Sequence, residues 1–147
     1  MEAVLLIGLQ ASGKSTFCRE QFFDTHVRLH PRILLTRERE RVLLDACLAA
    51  RLPFVVDDTN VTRAERGYYI ELARSRGFRV AGYFFRSRLH DALERNHRRR
   101  PPLRVDDELI RATSARIELP KFAEGFDELH FVVSHHDDSF SIEDWRD

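Results

Sequence analysis

Gly8-Leu9-Gln10-Ala11-Ser12-Gly13-Lys14-Ser15 follows the spacing GxxxxGK[ST] between a short apolar run and a helical stretch. That combination of residue types suits the capture of a polyphosphate. Glycines at Gly8 and Gly13 let the chain wrap so that the amides of Gln10, Ala11, Ser12 and Gly13 point inward, and the helix N-terminus adds positive potential. Lys14 is placed to neutralise β- and γ-phosphate charge, Ser15 to ligate Mg²⁺, and Thr16 to support an α-phosphate oxygen. From this chain's composition the pattern would arise by chance roughly 3 times in 10,000. A second set of oxygens is needed to hold the metal, and Asp57 and Asp58, at the end of the next strongly apolar run, are the candidates.

These residues must be positioned by the elements around them. Ala3–Ile7 reads as a buried parallel strand, Lys14–Phe23 as a helix and Val27–Leu29 as a short strand. Thr36–Arg51 carries Val42, Leu43, Ala46, Cys47 and Ala50 at helical spacing, and Pro53 closes it before the Phe54–Val56 strand. Thr62 and Glu65 have the spacing of a capping box, opening a helix that Gly77 ends. Arg79–Phe85 is then a strand, Ser87–Arg98 a helix, Pro101-Pro102 a loop, Asp106 the cap of a helix to about Leu119, and Leu129–Val133 the last strand. The alternation predicts an α/β fold with a five-stranded parallel sheet covered by helices on both faces, and with the phosphate loop it reads as a single P-loop NTPase domain of the nucleoside/adenylate-kinase type over residues 1–133. Residues 134–147 read as an acidic tail, packed on that domain or trailing from it, in which His135-His136-Asp137-Asp138 is a solvated run rather than a metal site.

The chain has 147 residues, 43% of them hydrophobic, with eleven Phe. That is enough for one real core and excludes a disordered polymer. Cys18 and Cys47 form no disulfide or zinc pattern, which fits a cytoplasmic setting. No apolar run approaches the ~20 residues of a membrane span. Lys+Arg and Asp+Glu balance at 24 each, but the balance conceals an asymmetry. Arg86, Arg88, Arg95, Arg98, Arg99, Arg100 and Arg104 follow one another against only Asp91 and Glu94, a cationic stretch suited to polyanions. No Asn-Lys-x-Asp motif for reading guanine is present, and the length is that of a nucleoside or small-molecule kinase.

Val55-Val-Asp-Asp-Thr-Asn60, the Gly77-Phe-Arg-Val80 strand entry and Arg95-Asn96 with arginines after it stand in an order that resembles the 5′-hydroxyl polynucleotide kinases. The likeness is to the kinase domain of the phage-type enzyme and its bacterial relatives, and it runs from about residue 3 to residue 133. It implies transfer of the γ-phosphate of ATP, with Mg²⁺, to the 5′-hydroxyl of DNA or RNA, often in nucleic-acid repair. Carried over by motif, Lys14 and Ser15 serve the phosphates and the metal, and Asp58 takes the place of the Asp in Asp-Thr-Asn. Arg95 and Arg99 are the lid arginines over ATP, while Arg98, Arg100 and Arg104 contact polymer phosphates. Asn60 and Arg32 fall on the substrate side. One departure stands out: the family carries a proton-accepting Asp after the second strand, and here Val27-Arg-Leu-His-Pro-Arg-Ile33 has none. His30 could act as the base, since an imidazole titrates near neutral pH; Asp57 or Asp24 could substitute. Two alternatives remain: a kinase of a small hydroxyl compound, and a non-catalytic ATP-binding regulatory module.

Overall fold

The computed structural model describes residues 1–135 and 137–146; His136 and Asp147, both within the stretch read as a tail, lie outside the described residues. The chain alternates as β1 (Glu2–Ile7), α1 (Lys14–Phe22), β2 (Val27–Leu29), α2 (Pro31–Leu34), α3 (Arg37–Ala50), β3 (Phe54–Asp57), α4 (Arg63–Ser75), β4 (Arg79–Phe85), α5 (Leu89–Arg98), α6 (Asp107–Arg116), β5 (Glu128–Ser134) and β6 (Phe140–Asp144). The sheet order is β2-β3-β1-β4-β5-β6. β1 through β5 are parallel, and β6 returns antiparallel along β5 from the Ser134↔Phe140 pair to the His130↔Asp144 pair.

The sheet therefore has six strands where the sequence predicts five. Phe140, Ile142 and Trp145 sit among acidic residues and form too short an apolar alternation to signal a strand alone. Pairing with the exposed edge of β5 supplies the missing stabilisation. The Trp145 ring then lies 5.4 Å from Phe84 and 6.0 Å from Phe131. Residues 140–144 are thus part of the sheet rather than an appendage to it.

β1 is central, with Ala3 through Ile7 completely buried. Ala3, Leu5 and Ile7 face one layer with Phe54, Val56 and the apolar stripe of α3 and α4. Val4 and Leu6 face the other with Phe17, Cys18 and Phe85. The period-2 alternation of a strand buried on both faces explains why every residue there is apolar. A small third cluster, Leu9 with Ala92 and Ile110, joins the loop after β1 to the helices α5 and α6.

Local differences have local causes. Thr62 accepts from the Glu65 amide at 3.2 Å, but the Glu65 carboxylate turns to Arg116 at 3.3 Å rather than back to the cap. α6 stops at Arg116, short of Leu119, and the amide of Glu118 donates instead to the Val61 carbonyl at 2.8 Å.

A buried ion pair fixes the loop after β3. Arg66, fully buried on α4, grips Glu124 through Nε and Nη2 at 2.8 and 3.1 Å and donates through Nη1 to the Asn60 carbonyl at 3.0 Å. Removing one partner of such a pair strands the other charge in a dry site. Arg66→Ala is expected to lower the unfolding free energy by about 3–5 kcal/mol in chemical denaturation, because Glu124 then keeps an uncompensated buried carboxylate.

Candidate functional site

The carboxyl ends of β1, β3 and β4 converge, the crevice where ligands bind in open α/β sheets. The loop after β1 is anchored there by two bonds: the Gly8 amide donates to the Thr59 carbonyl at 2.9 Å, and Asn60 Nδ2 donates to the Leu6 carbonyl at 2.8 Å. Gly8 has no room for a side chain, since a Cβ would stand 3.0 Å from the Phe85 Cβ. Gly13 is left-handed at φ +96° as it starts α1, and a Cβ there would press on the Phe140 ring at 3.2 Å. Both glycines thus have a steric reason as well as a conformational one.

Lys14 curls back over the loop. Its Nζ donates to the Gly8 carbonyl at 2.8 Å, to the Leu9 carbonyl, and to Ser12 Oγ at 3.4 Å. Burial pulls its pKa down to about 8, with Asp57 and Asp58 opposing the fall and Arg99 adding to it. The ammonium is held in place before any phosphate arrives, and phosphate oxygens can take over from the loop carbonyls.

Ser15 and Asp57 meet across the parallel pair: Ser15 Oγ donates to Asp57 Oδ2 at 3.1 Å. These are hard oxygen donors of the kind Mg²⁺ takes, and their adjacency fits a Mg²⁺ site alongside nucleotide phosphates. Asp58, next in sequence, points elsewhere. Its Oδ1 accepts from the Thr59 amide at 2.7 Å, and its Oδ2 lies 3.9 Å from Arg37. The two acids proposed together for the metal line the same cavity, but only Asp57 bonds to Ser15.

That chamber encloses about 880 Å³. Lys14, Ser15, Asp58, His30, Arg32 and Arg99 are among the groups that line it. His30 caps the single turn of α2, its Nδ1 accepting from the Arg32 amide at 3.0 Å. A neutral imidazole engaged that way carries its proton on Nε2 and offers the chamber a donor. Burial, with Arg28 and Arg32 alongside, lowers the His30 pKa against the pull of Asp57 and Asp58, which favours that neutral form. Asp24 precedes the N-terminal end of β2, at the far edge of the parallel sheet from this crevice. Asn60 reaches the chamber wall, but its amide nitrogen is used on the Leu6 carbonyl.

The lid arginines divide similarly. Arg95 lies beside Gly13 and donates to Ser134 Oγ at 2.5 Å; with Arg98, Thr16 and Phe140 it lines a second cleft of about 400 Å³. Arg99 faces both spaces and donates to the Leu103 carbonyl at 3.2 Å. Arg32 reaches the same carbonyl at 3.4 Å. Burial and the Arg32 charge both press the Arg99 pKa below the usual arginine range. Two neighbouring guanidiniums sharing a carbonyl favour an incoming anion. Asn96 holds this lid together, donating to the Val105 carbonyl at 2.7 Å and accepting from the Val105 amide at 3.1 Å.

Several participants carry no motif. Arg28 on β2 bonds Asp57 and Ser15. Buried Glu40 accepts from the Tyr69 hydroxyl and from Arg37, at 2.5 and 3.2 Å, in the chamber's lining. Burial and the Glu40 carboxylate hold Tyr69 far above the ordinary phenol range, so it remains a donor. Gln10 Nε2 donates to Thr113 Oγ1 at 3.1 Å, tying the loop to α6. Only the fold juxtaposes these groups.

The family described as AAA domain matches residues 24–120. This chain belongs to that family. The phosphate loop at residues 8–15 precedes the matched segment, so the loop and the family match are separate observations. Among solved structures, the AAA domain is similar to a gluconokinase from Sinorhizobium meliloti 1021 at 20% identity and TM-score 0.62, covering 90% of this chain and 82% of that one. It is similar to Chaetomium thermophilum Kti12 in complex with ADP-AlF3 at 17% identity and TM-score 0.67, covering 93% and 90%. The Mycobacterium tuberculosis APS kinase CysC aligns at 14% identity and TM-score 0.56, covering 90% and 87%. The fold is that of the P-loop kinases. No helix among the described residues is long and apolar enough to cross a membrane.

The low Lys14 pKa gives a measurable consequence. Below about 8 the ammonium is charged and ready for a phosphate; above it, binding must also take up a proton. ATP affinity, measured by calorimetry from pH 7 to 9.5, is expected to weaken above pH 8 by up to about tenfold per unit. Lys14→Met is expected to bind more weakly throughout and to lose this dependence.

Proposed function

We propose that this AAA domain is an ATP-dependent phosphotransferase that moves the γ-phosphate of ATP to the 5′-hydroxyl of a polynucleotide. The observation that carries the transfer is the single cavity lined by Lys14, Ser15, Asp57 and Asp58 together, so that a donor phosphate and an acceptor hydroxyl can meet in one space. The Asp58-Thr59-Asn60 turn, the Arg95-Asn96 lid and the exposed Arg98, Arg100 and Arg104 support the polymer as acceptor. A strand's 5′ end would enter the chamber while following phosphates meet the lid arginines.

In this reading the loop amides and Lys14 hold the β- and γ-phosphates, with Arg95 and Arg99 closing over them. Mg²⁺, held by Ser15 and Asp57, would supply charge neutralisation at the β- and γ-oxygens. Asp58 accepts the proton of the acceptor hydroxyl as its oxygen bonds to the γ-phosphorus. The bond from that phosphorus to the β–γ bridging oxygen breaks, and ADP leaves. Arg99 and Arg32 stabilise charge on the equatorial oxygens, where phosphoryl transfer is most sensitive.

A second reading, transfer to a small hydroxyl compound, draws on one specific feature. Glu40, Tyr69 and Arg37 form a hydrogen-bonded polar group lining the chamber, suited to fixing the hydroxyls or charge of a compact acceptor. The gluconokinase and APS kinase among the similar structures are named for such acceptors.

Incubation with γ-labelled ATP and Mg²⁺ separates these readings. Label is expected in a 5′-hydroxyl oligonucleotide and not in its 5′-phosphorylated counterpart, with none in Lys14→Ala. Label in neither strand, with ATP still bound, would reject the polynucleotide acceptor and leave a small acceptor or a non-catalytic ATP-binding module. Asp58→Asn is expected to lower kcat by about 10²–10⁴-fold while leaving ATP affinity near wild type, the size of effect that loss of a general base produces.

A further inference from the structure

Ser15 Oγ and the Asp57 Oδ2 it bonds both already touch one guanidinium. Arg28 Nη2 lies 2.7 Å from Asp57 Oδ2, and Arg28 Nε donates to the same oxygen at 2.8 Å. Nη2 also donates to Ser15 Oγ at 3.2 Å. Ser15 in turn donates to Asp57 Oδ2. The three side chains form a closed ring in which the Ser15 hydroxyl has its donor and an acceptor lone pair both occupied.

The chemistry of each member matters. The Asp57 side chain is 1% exposed, so its negative charge requires a cation at hand. An arginine is always charged and supplies that cation without a metal. Mg²⁺ needs oxygen ligands at about 2.0–2.1 Å in near-octahedral geometry, and a guanidinium bonded to both Ser15 Oγ and Asp57 Oδ2 occupies the space between them that the metal and its further ligands would take. The Arg28 side chain is 36% exposed, so it has a path outward into water.

We propose that Arg28 is the resident cation of the metal site: it neutralises Asp57 while the site holds no metal and must withdraw when Mg²⁺ arrives. Because an occupied site lowers apparent affinity by the fraction of time it is free, Arg28 makes the protein's own oxygens poor at capturing metal alone. Metal enters with the nucleotide, whose phosphates supply the additional ligands and repay the displacement. Arg28 is a positioning residue in this scheme; it touches neither phosphate nor acceptor. The proposal rests on the reading of Ser15 and Asp57 as the Mg²⁺ oxygens of an ATP site.

Mn²⁺ titration of the whole chain without nucleotide, followed by the loss of the free-ion electron paramagnetic resonance signal, tests it directly. Arg28→Met is expected to bind Mn²⁺ roughly tenfold more tightly than wild type, as if Arg28 vacated the site about a tenth of the time. Its melting temperature is also expected to rise more on adding Mn²⁺, because the metal then restores the lost counter-charge. Arg28→Lys keeps a charge without the fork, so it is expected to bind Mn²⁺ between the two; this comparison serves if the Met variant does not fold. Mn²⁺ binding equal to or weaker than wild type overturns the proposal. A 10–100-fold weakening, in particular, is what loss of a supporting outer-shell group produces. Absence of Mn²⁺ binding in all three proteins also overturns it. A parallel titration of wild type with a fluorescent ATP analogue in EDTA reports on the nucleotide site by itself. Failure there sinks the ATP reading, whereas nucleotide binding without the expected Mn²⁺ order sinks only the role of Arg28.

Discussion

The Gly8 amide on the Thr59 carbonyl and the Asn60 amide on the Leu6 carbonyl join the loop after β1 to the loop after β3, and every part of the site is hung from this junction. Without it the phosphate loop would be a flexible turn at the end of a strand. With it, Lys14 and Ser15 hold a constant distance from Asp57 and Asp58. The junction is braced from beneath by Arg66, which takes the Asn60 carbonyl while paired with Glu124. Asn60 itself adopts a left-handed conformation at φ +45°, one that asparagine tolerates better than most residues. An asparagine there meets both needs, the backbone angle and the side-chain donor.

A crowd of charges, all but Arg32 buried or half-buried, follows from that junction. Lys14, Arg28, Arg32, Arg99, Asp57 and Asp58 all lie around one crevice. Such a crowd is stable only if each charge has a partner, and the partners differ in kind. Lys14 uses loop carbonyls, Asp57 uses Arg28 and Ser15, and Arg99 and Arg32 share the Leu103 carbonyl. Arg99 and Arg32 have the weakest compensation, which leaves net positive potential where a polyphosphate would lie. The Asn96 clasp keeps the lid from relaxing that potential by swinging its arginines into water.

Solved structures of the same fold carry different names, a gluconokinase and an APS kinase among them, so the fold alone does not select an acceptor. In the proposed reaction that choice would fall to α2, α3 and α4 and their caps, which bring His30, Arg32, Arg37, Glu40 and Tyr69 to the lining of the chamber. The β5–β6 hairpin contributes from the opposite side by laying Phe140 on the phosphate loop at Gly13.

Much of this was legible in the residues alone. The phosphate loop, the alternation of strands and helices, the Thr62 cap and the stop at Gly77 all depend on backbone geometry within a few residues, and neighbouring side chains encode it. Asp57 and Asp58 could be singled out but not told apart, because a strand ending turns consecutive residues to different faces and the register decides which face meets Ser15. Arg28, Glu40 and Tyr69 left no trace as functional residues, and β6 none as a strand. Ser15 and Asp57 are 42 residues apart, and Glu40 and Tyr69 are 29 apart. Contacts at that separation arise from which strands lie side by side and how helices cross them. Local chemistry therefore determined the phosphate loop and the order of elements. Only the packed sheet decided which acid meets Ser15, which arginine bonds them both and what lines the chamber, because those depend on non-local pairing that no short stretch of sequence contains.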